Sequence, residues 1–464
     1  MKILFQGGKI VKENQVVNKD LLIENEFIQK ILPRAHQKET EADKVIDVSG
    51  KYIMPGVIDA HTHFALDSRG TVTAENFFTG TRSAAHGGVT SFIDFSDHQE
   101  DKTLPASARE RISQAEKEAV IDFNLHQTVH YLNESIAREL EQIKDMGISS
   151  IKMFTTYKDV GYMIPEHDRG DLLRTCEQIG LLPTVHAEDN EIIEDSRREM
   201  IERAGGEENL KLADHPDLRP PSAEERAIAR LGNIAYQENL PLYIDHISSA
   251  GGMRQFQQYK NSGARIAGET TPHYLFLDKS WLNKNEAEKY YMVPPLRSKD
   301  DCRDLQKAVK EKTFDVIATD HCAFSLEQKR ENLNPVNMLP GLPGSETLLP
   351  LAHKLVINEK DLSYPYLCKL LSLNPARLFG LYPRRGVISE GSYADLVVFD
   401  PDKEVELTSQ NLHSAANYSP YSHLQVKGFP VITVHKGEII VQKGEFTGSR
   451  GRGRFIEAGT SSLL

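Results

Sequence analysis

Six side chains of types that bind metal ions or move protons each stand in or just after a short apolar run. The sequence Asp59-Ala60-His61-Thr62-His63 follows residues 56–58. In an extended chain residues i and i+2 face the same way, so His61 and His63 project together, two imidazoles aimed as a pair at a divalent cation. Taken alone, such a pair reads equally well as two packed histidines. His186 closes LLPTVH, His246 closes PLYIDH and Asp320 closes DVIATD. Lys152 lies inside ISSIKMF, an odd place for an amine, because charged lysines are rarely buried unpaired. Reaction of that amine with carbon dioxide would give a carbamate, a carboxylate-like anion able to bridge two cations. Two cations about 3.5–4 Å apart could hold a shared hydroxide as the nucleophile, acidified well below bulk water. Asp320, an oxygen ligand beside it, would take its proton and return it to a leaving nitrogen.

These residues need a scaffold that ends several strands at one rim. From residue 55 to 380, short apolar runs alternate with longer charged stretches that read as helices, among them 108–118 and 137–146. Ser222-Ala223-Glu224-Glu225 reads as a capping box opening a further helix. Lys152 and His186 are 34 residues apart, one strand–helix unit, and His246 and Asp320 are 74 apart, two units. His186 and His246 are 60 apart, one unit plus an insertion carrying Arg219-Pro220-Pro221, and His63 and Lys152 are 89 apart, near three short units. The spacing predicts a (β/α)8 TIM barrel over 55–380, whose first, fourth, fifth, sixth and eighth strands deliver ligand-type residues to the rim where barrel active sites lie. A doubly wound sheet would give a similar alternation. Both chain ends read instead as short strands between Gly, Pro and Asp turns, and a single small β-sandwich domain built from 1–54 and 381–464 is the economical arrangement. The stretch GSRGRGRF reads as a solvated tail, an interface arm or a ligand-binding segment.

Composition narrows the classes. The 464 residues are 39% hydrophobic and 26% charged, which suits an ordinary folded core and excludes a disordered or fibrous chain. The net charge of −12, with no basic block, argues against nucleic acid and anionic membranes as partners. No apolar run approaches the ~18 residues of a membrane span, and the opening MKILFQGGKIVKEN breaks before a signal peptide can form. Four scattered cysteines without a CxxC pair fit reduced thiols in a cytoplasmic protein.

The set of HxH, Lys152, two further histidines and Asp320 resembles the amidohydrolase superfamily. More narrowly, the chain resembles the hydantoinase/dihydropyrimidinase family of cyclic amidohydrolases through PGVIDAHTHF, IKMFTTY, HAED, RPPSAEE, GETTPHYLFLD, VPPLR, ATDHCAF, NPARLFGLYPRRG, GSYADLVVFDP and GRGRF. The resemblance implies a barrel with two divalent metal ions, zinc or alternatively manganese, a carbon dioxide-derived carbamate on Lys152 and a homotetramer. It implies that His61, His63 and Asp320 bind the more buried metal, that His186 and His246 bind the exposed one, and that Lys152 bridges them. Tyr157 matches the family tyrosine that hydrogen-bonds the oxyanion, a role a phenol can fill. The implied reaction opens a hydantoin or dihydropyrimidine ring to an N-carbamoyl amino acid, with a small cyclic amide as the partner molecule.

Two positions depart from the family pattern. Val293 stands where hydantoinases commonly have serine, and Gly341 lies in the loop 338–344 where they carry an asparagine, so Tyr157, Val293 and Gly341 are the candidate substrate contacts. TPHYL, with His273, and GLPGSETLLPL look more like allantoinases and L-type hydantoinases than typical dihydropyrimidinases, which leaves allantoin open as a substrate. Dihydroorotase relatives carry an arginine two residues after HxH, where this chain has Phe64-Ala65. A non-catalytic scaffold relative would have lost ligands, and none of the six is missing. Loops 64–70 and 158–165 are candidates for selecting the ring's side chain.

Overall fold

The computed structural model describes residues 1–34 and 42–464. Eight parallel strands lie side by side in chain order: β1 (Val57–Asp59), β2 (Val89–Ser96), β3 (Asp122–Thr128), β4 (Ser150–Phe154), β5 (Leu182–His186), β6 (Leu242–Ile244), β7 (Ile266–Thr270) and β8 (Val316–Ile317). The sheet closes on itself just beyond β1 and β8. There the His63 amide donates to the His321 carbonyl at 2.7 Å and the Thr319 hydroxyl donates to Asp59 at 2.7 Å. The result is a TIM barrel. Every residue of β2, β3 and β5 is buried, because a barrel strand is covered on one face by helices and on the other by the filled interior.

The expected helices form with modest changes of boundary, Leu104–Glu118 for the first and Ile136–Asp145 for the second. Capping boxes are made at Asn76/Thr79 and Ser298/Asp301. The one read at Ser222 is not. Pro220 occupies the N-cap of Pro221–Glu238, so Ser222 already lies inside the first turn, and Glu225, the carboxylate of the expected box, accepts instead from the Gln255 side-chain amide at 3.5 Å. The insertion between β5 and β6 is a second helix, Asn190–Ala204, followed by short turns.

Strands from both ends of the chain form a separate β region. A four-stranded sheet runs Phe27–Pro33, Lys19–Glu24, Lys2–Gln6, Lys44–Asp47, and a seven-stranded sheet joins Tyr52–Pro55 to Leu396–Glu406 in antiparallel register, Leu396 opposite Pro55. Alternation explains the unbroken run Leu396-Val397-Val398-Phe399. Leu396 and Val398 join Ile3, Phe5, Ile23 and Ile53 between the two sheets, whereas Val397 and Phe399 pack into the barrel's core. The segment around GRGRF is not a solvated tail. Phe123 at the foot of β3 donates to the Arg454 carbonyl and accepts from the Ile456 amide, and Arg265 donates to the Leu463 carbonyl, so this segment lies across the N-terminal mouth of the barrel. No helix among the described residues is long and apolar enough to cross a membrane.

Candidate metal centre and active site

The C-terminal ends of the strands bring the six ligand-type residues together. His61 and His63, just past β1, each place Nε2 3.3 Å from Oδ1 of Asp320, just past β8. The other nitrogen of His61, Nδ1, lies 2.6 Å from Glu269 on β7, whose second oxygen accepts from the Tyr243 hydroxyl at 2.8 Å. That pair of contacts fixes the ring with Nε2 turned to the centre, the arrangement by which a carboxylate behind a histidine orients it for an ion. His186, the last residue of β5, faces His246 across 3.1 Å between Nδ1 and Nε2, and its own Nε2 lies 2.7 Å from Glu188. Ring centroids separate His61 from His246 by 5.3 Å and His246 from His186 by 4.7 Å, so the two groups form one cluster. Lys152, on β4, is 2% exposed and donates to Asp245 at 2.5 Å.

Burial holds His61 and His246 well below the ordinary histidine range, with the Lys152 charge and neighbouring imidazoles adding to the effect. His186 is lowered by burial against the pull of Glu188. An imidazole offers a lone pair to a cation, and four histidines with the Asp320 side chain at one rim are a donor set suited to divalent cations such as zinc. Lys152 as an ammonium has no lone pair and joins that set only once converted to an anion. Three residues here hold left-handed backbone without being glycine: Tyr157 at φ 66°, His246 at 34° and Asp320 at 49°. Such conformations cost of order 1–3 kcal/mol each and persist where the surroundings enforce them, commonly at functional sites.

Beside the cluster opens a cavity of about 140 Å³ whose walls include Arg69, Tyr157, His215, Arg219, Tyr291 and Val293. The Tyr157 ring lies 5.3 Å from that of His186 and beneath the Arg219 guanidinium, 5.0 Å from its centroid. Burial raises the Tyr157 phenol above its usual range, countered in part by Arg219, so the hydroxyl remains a donor. Arg219 in turn donates to Glu188 at 2.6 and 3.1 Å, which links the cavity wall to His186. Val293 lines the cavity. Gly341 does not: its amide donates to the Tyr291 carbonyl at 3.0 Å, so it bears on the cavity through that residue. Its φ of 131° and the 2.3 Å that would separate a Cβ from the Cys322 carbonyl oxygen explain why a larger residue is absent. His273 is buried within electrostatic reach of Asp320 and His246, its ring packed on Tyr274 and its Nε2 without a partner among the described residues.

Sequence reasoning did not assign Glu188, Arg219, Tyr243, Asp245 or Glu269. A signal existed for some: Glu188 and Asp245 are charged residues in stretches that immediately border a strand's end, and Arg219 sits in RPPSAEE.

The chain and its fold are similar to those of known proteins. Residues 52–440 match the model of the amidohydrolase family. The chain is 34% identical over 467 residues to a D-phenylhydantoinase of Escherichia coli O81 (strain ED1a), covering 98% of each protein. The dihydropyrimidinase of Brevibacillus agri NCHU1002 superposes with a TM-score of 0.95 at 31% identity, covering 100% of both chains. An L-hydantoinase (dihydropyrimidinase) from Arthrobacter aurescens superposes at 0.87 with 26% identity, covering 98% of this chain and 99% of the other. The chain belongs to the amidohydrolase family and, inside it, to the hydantoinase/dihydropyrimidinase group.

Proposed function

We propose that this protein is a hydrolase that opens the cyclic amide of hydantoins or dihydropyrimidines, giving N-carbamoyl amino acids. The observation that carries the proposal is the meeting of His61, His63, Lys152, His186, His246 and Asp320 at one barrel rim beside a cavity, in a chain that aligns end to end with a D-phenylhydantoinase. In this reading His61, His63 and Asp320 would hold one divalent cation, His186 and His246 would hold a second, and Lys152 would join the donor set as a carbamate. When bound, zinc or manganese would supply Lewis acidity at the carbonyl and a lower pKa for water.

The chain's own groups then do the rest. The ring lies in the cavity with its scissile carbonyl at the cluster. Asp320 accepts one proton of the attacking water and passes it to the ring nitrogen as the C–N bond breaks, leaving a carbamoyl NH2 and a carboxylic acid that loses the second water proton to solvent. The Tyr157 hydroxyl donates to the carbonyl oxygen as charge builds there, an interaction stronger in the transition state than in the ground state. Carbamate formation at Lys152 needs the free amine, so the ammonium has to give up a proton first. The boundaries 55–380 for the catalytic barrel and 1–54 with 381–464 for the β domain belong to the same reading, as do a cytoplasmic location and a homotetramer.

The test is ring opening of hydantoin, dihydrouracil, allantoin and dihydroorotate by zinc- or manganese-loaded protein in bicarbonate buffer. Opening of hydantoin or dihydrouracil that is lost in Lys152→Ala supports the proposal. Opening of allantoin alone would move the substrate and keep the mechanism, and opening of none would refute it.

A further inference from the structure

We propose that Arg69 recognises a carboxylate on the ring's substituent, so that the preferred substrates are hydantoins or dihydropyrimidines bearing an anionic side chain; this rests on the ring-opening reading above. Arg69 sits at the turn of a two-stranded hairpin, Asp67–Ser68 with Thr71–Val72, in the loop after β1. The hairpin is pinned. Gln328 donates to the Thr71 hydroxyl at 2.9 Å and to the Val72 carbonyl at 2.7 Å, and Thr73 Oγ1 accepts from the Leu66 amide at 3.1 Å. One guanidinium nitrogen of Arg69 donates to the Met338 carbonyl at 2.7 Å, which ties the loop after β1 to the loop after β8 across the cavity's mouth.

That single bond is the only one Arg69 makes among the described residues, and no carboxylate there lies within salt-bridge reach of it. A guanidinium carries five N–H donors, and Arg69 is an exposed residue of the cavity wall, so most of its capacity is unfilled at the cavity's open mouth. The other two arginines of the cavity wall are engaged, Arg219 by Glu188 and Arg197 by Glu207 at 3.1 Å. Of the wall's carboxylates, Glu194 accepts from Asn190 at 2.5 Å, and Asp159 stands exposed on the turn Lys158–Val160 beside Lys158. The Arg69 charge acts on both phenols of the cavity, Tyr157 and Tyr291, and on Tyr291 it acts more strongly than Arg219 does. A free, planar cation close to the two aromatic walls matches a carboxylate, which it can bind through two parallel N–H bonds, better than a neutral amide of the same shape.

The experiment compares kcat/KM for 5-(carboxymethyl)hydantoin and its neutral isostere 5-(carbamoylmethyl)hydantoin, with unsubstituted hydantoin and a 5-(aminoalkyl)hydantoin alongside. We expect the wild-type protein to favour the acid over the amide on the order of tenfold, as hydrogen bonds to charged groups generally allow. The ratio should drop to about one or below in Arg69→Gln, and Arg69→Lys should keep part of it. Rising salt should shrink the wild-type ratio, since the pair lies at an open mouth. A wild-type preference for the amide or the amine, or an acid-to-amide ratio that survives in Arg69→Gln, overturns the inference while leaving ring opening intact. Failure to open any of the four hydantoins overturns this inference, and if dihydrouracil also stays intact it overturns the ring-opening reading with it.

Discussion

Two clusters in this molecule have the same composition, two histidines and one carboxylate, with their potential ligand atoms within 4.8 Å of one another: His61, His63 and Asp320 at the barrel rim, and His86, His413 and Glu346 near the seven-stranded sheet. Their geometry separates them. At the rim the two rings stand at 64° to each other and both Nε2 atoms face one carboxylate oxygen. In the second cluster the rings are stacked, centroids 3.5 Å apart and planes within 10°. An imidazole lone pair lies in the plane of its ring, so two parallel rings cannot aim both at one ion without unstacking. The carboxylate differs too. Glu346 is filled by the His413 ring and amide, both at 2.7 Å, and by the Ser83 hydroxyl at 3.1 Å. Residue types and proximity therefore define a candidate; convergent lone pairs beside a cavity define a site.

The largest effect expected from this contrast is on metal content and turnover together. Asp320→Asn should lower kcat by ~10³-fold or more, because it removes both an oxygen donor and the proton carrier. Metal analysis of the purified protein should show fewer ions per chain in that variant, whereas Glu346→Gln should leave the count unchanged. A metal count that falls in Glu346→Gln would erase the distinction between the two clusters. Next in size is Tyr157→Phe, which removes the donor to the developing oxyanion and should cost about 10²-fold in kcat with little change in KM. An effect confined to KM would instead make Tyr157 a plain binding residue.

The contrast also explains what could be read from the sequence. The alternation of apolar runs with helices makes the barrel legible, and residues one to three strand–helix units apart have to end at one rim, which is why His61, Lys152, His186, His246 and Asp320 can be placed from the chain alone. The residues behind them were hidden because their partners are remote in sequence: Glu269 lies 208 positions from His61, and Arg219 lies 31 from Glu188. No local period announces such pairs. The Ser222 box failed for a local reason, two prolines that moved the helix start upstream, and the GRGRF stretch misled because its contacts are backbone bonds to the foot of β3, which composition does not encode. Gly341 read as a ring contact because a loop residue can be placed in order along the chain but not in depth.

A smaller effect, on stability, is expected at that glycine. Gly341→Ala would press a Cβ onto the Cys322 carbonyl and force an L side chain to φ 131°, at a cost of ~1–3 kcal/mol. Thermal unfolding should register a lower Tm. At Gly391, where nothing lies within 4 Å, the strain remains at φ 88° but the clash does not, so Gly391→Ala should cost less. Equal losses at the two positions would mean that backbone strain alone, not the approach to Cys322, keeps residue 341 small.

The smallest effect returns to the stacked pair. Burial, with His413 and Arg82 adding to it, pushes His86 down to about 3. The folded protein therefore keeps His86 neutral while the unfolded chain takes up a proton near pH 6.5, its ordinary value. The unfolded state then binds more protons, so this residue's contribution to stability is constant above about pH 6.5 and becomes unfavourable as pH falls from there toward 3. His86→Phe keeps a flat ring against His413 and cannot bind a proton. Near pH 8 it should change stability by less than ~1 kcal/mol, as shape-preserving swaps do. Between pH 6 and 4 it should lose stability with acid less steeply than the wild type in denaturant unfolding. If His86 were instead a metal ligand, the same substitution would lower the bound metal at pH 8 and flatten nothing, and that outcome would make the second cluster a site after all.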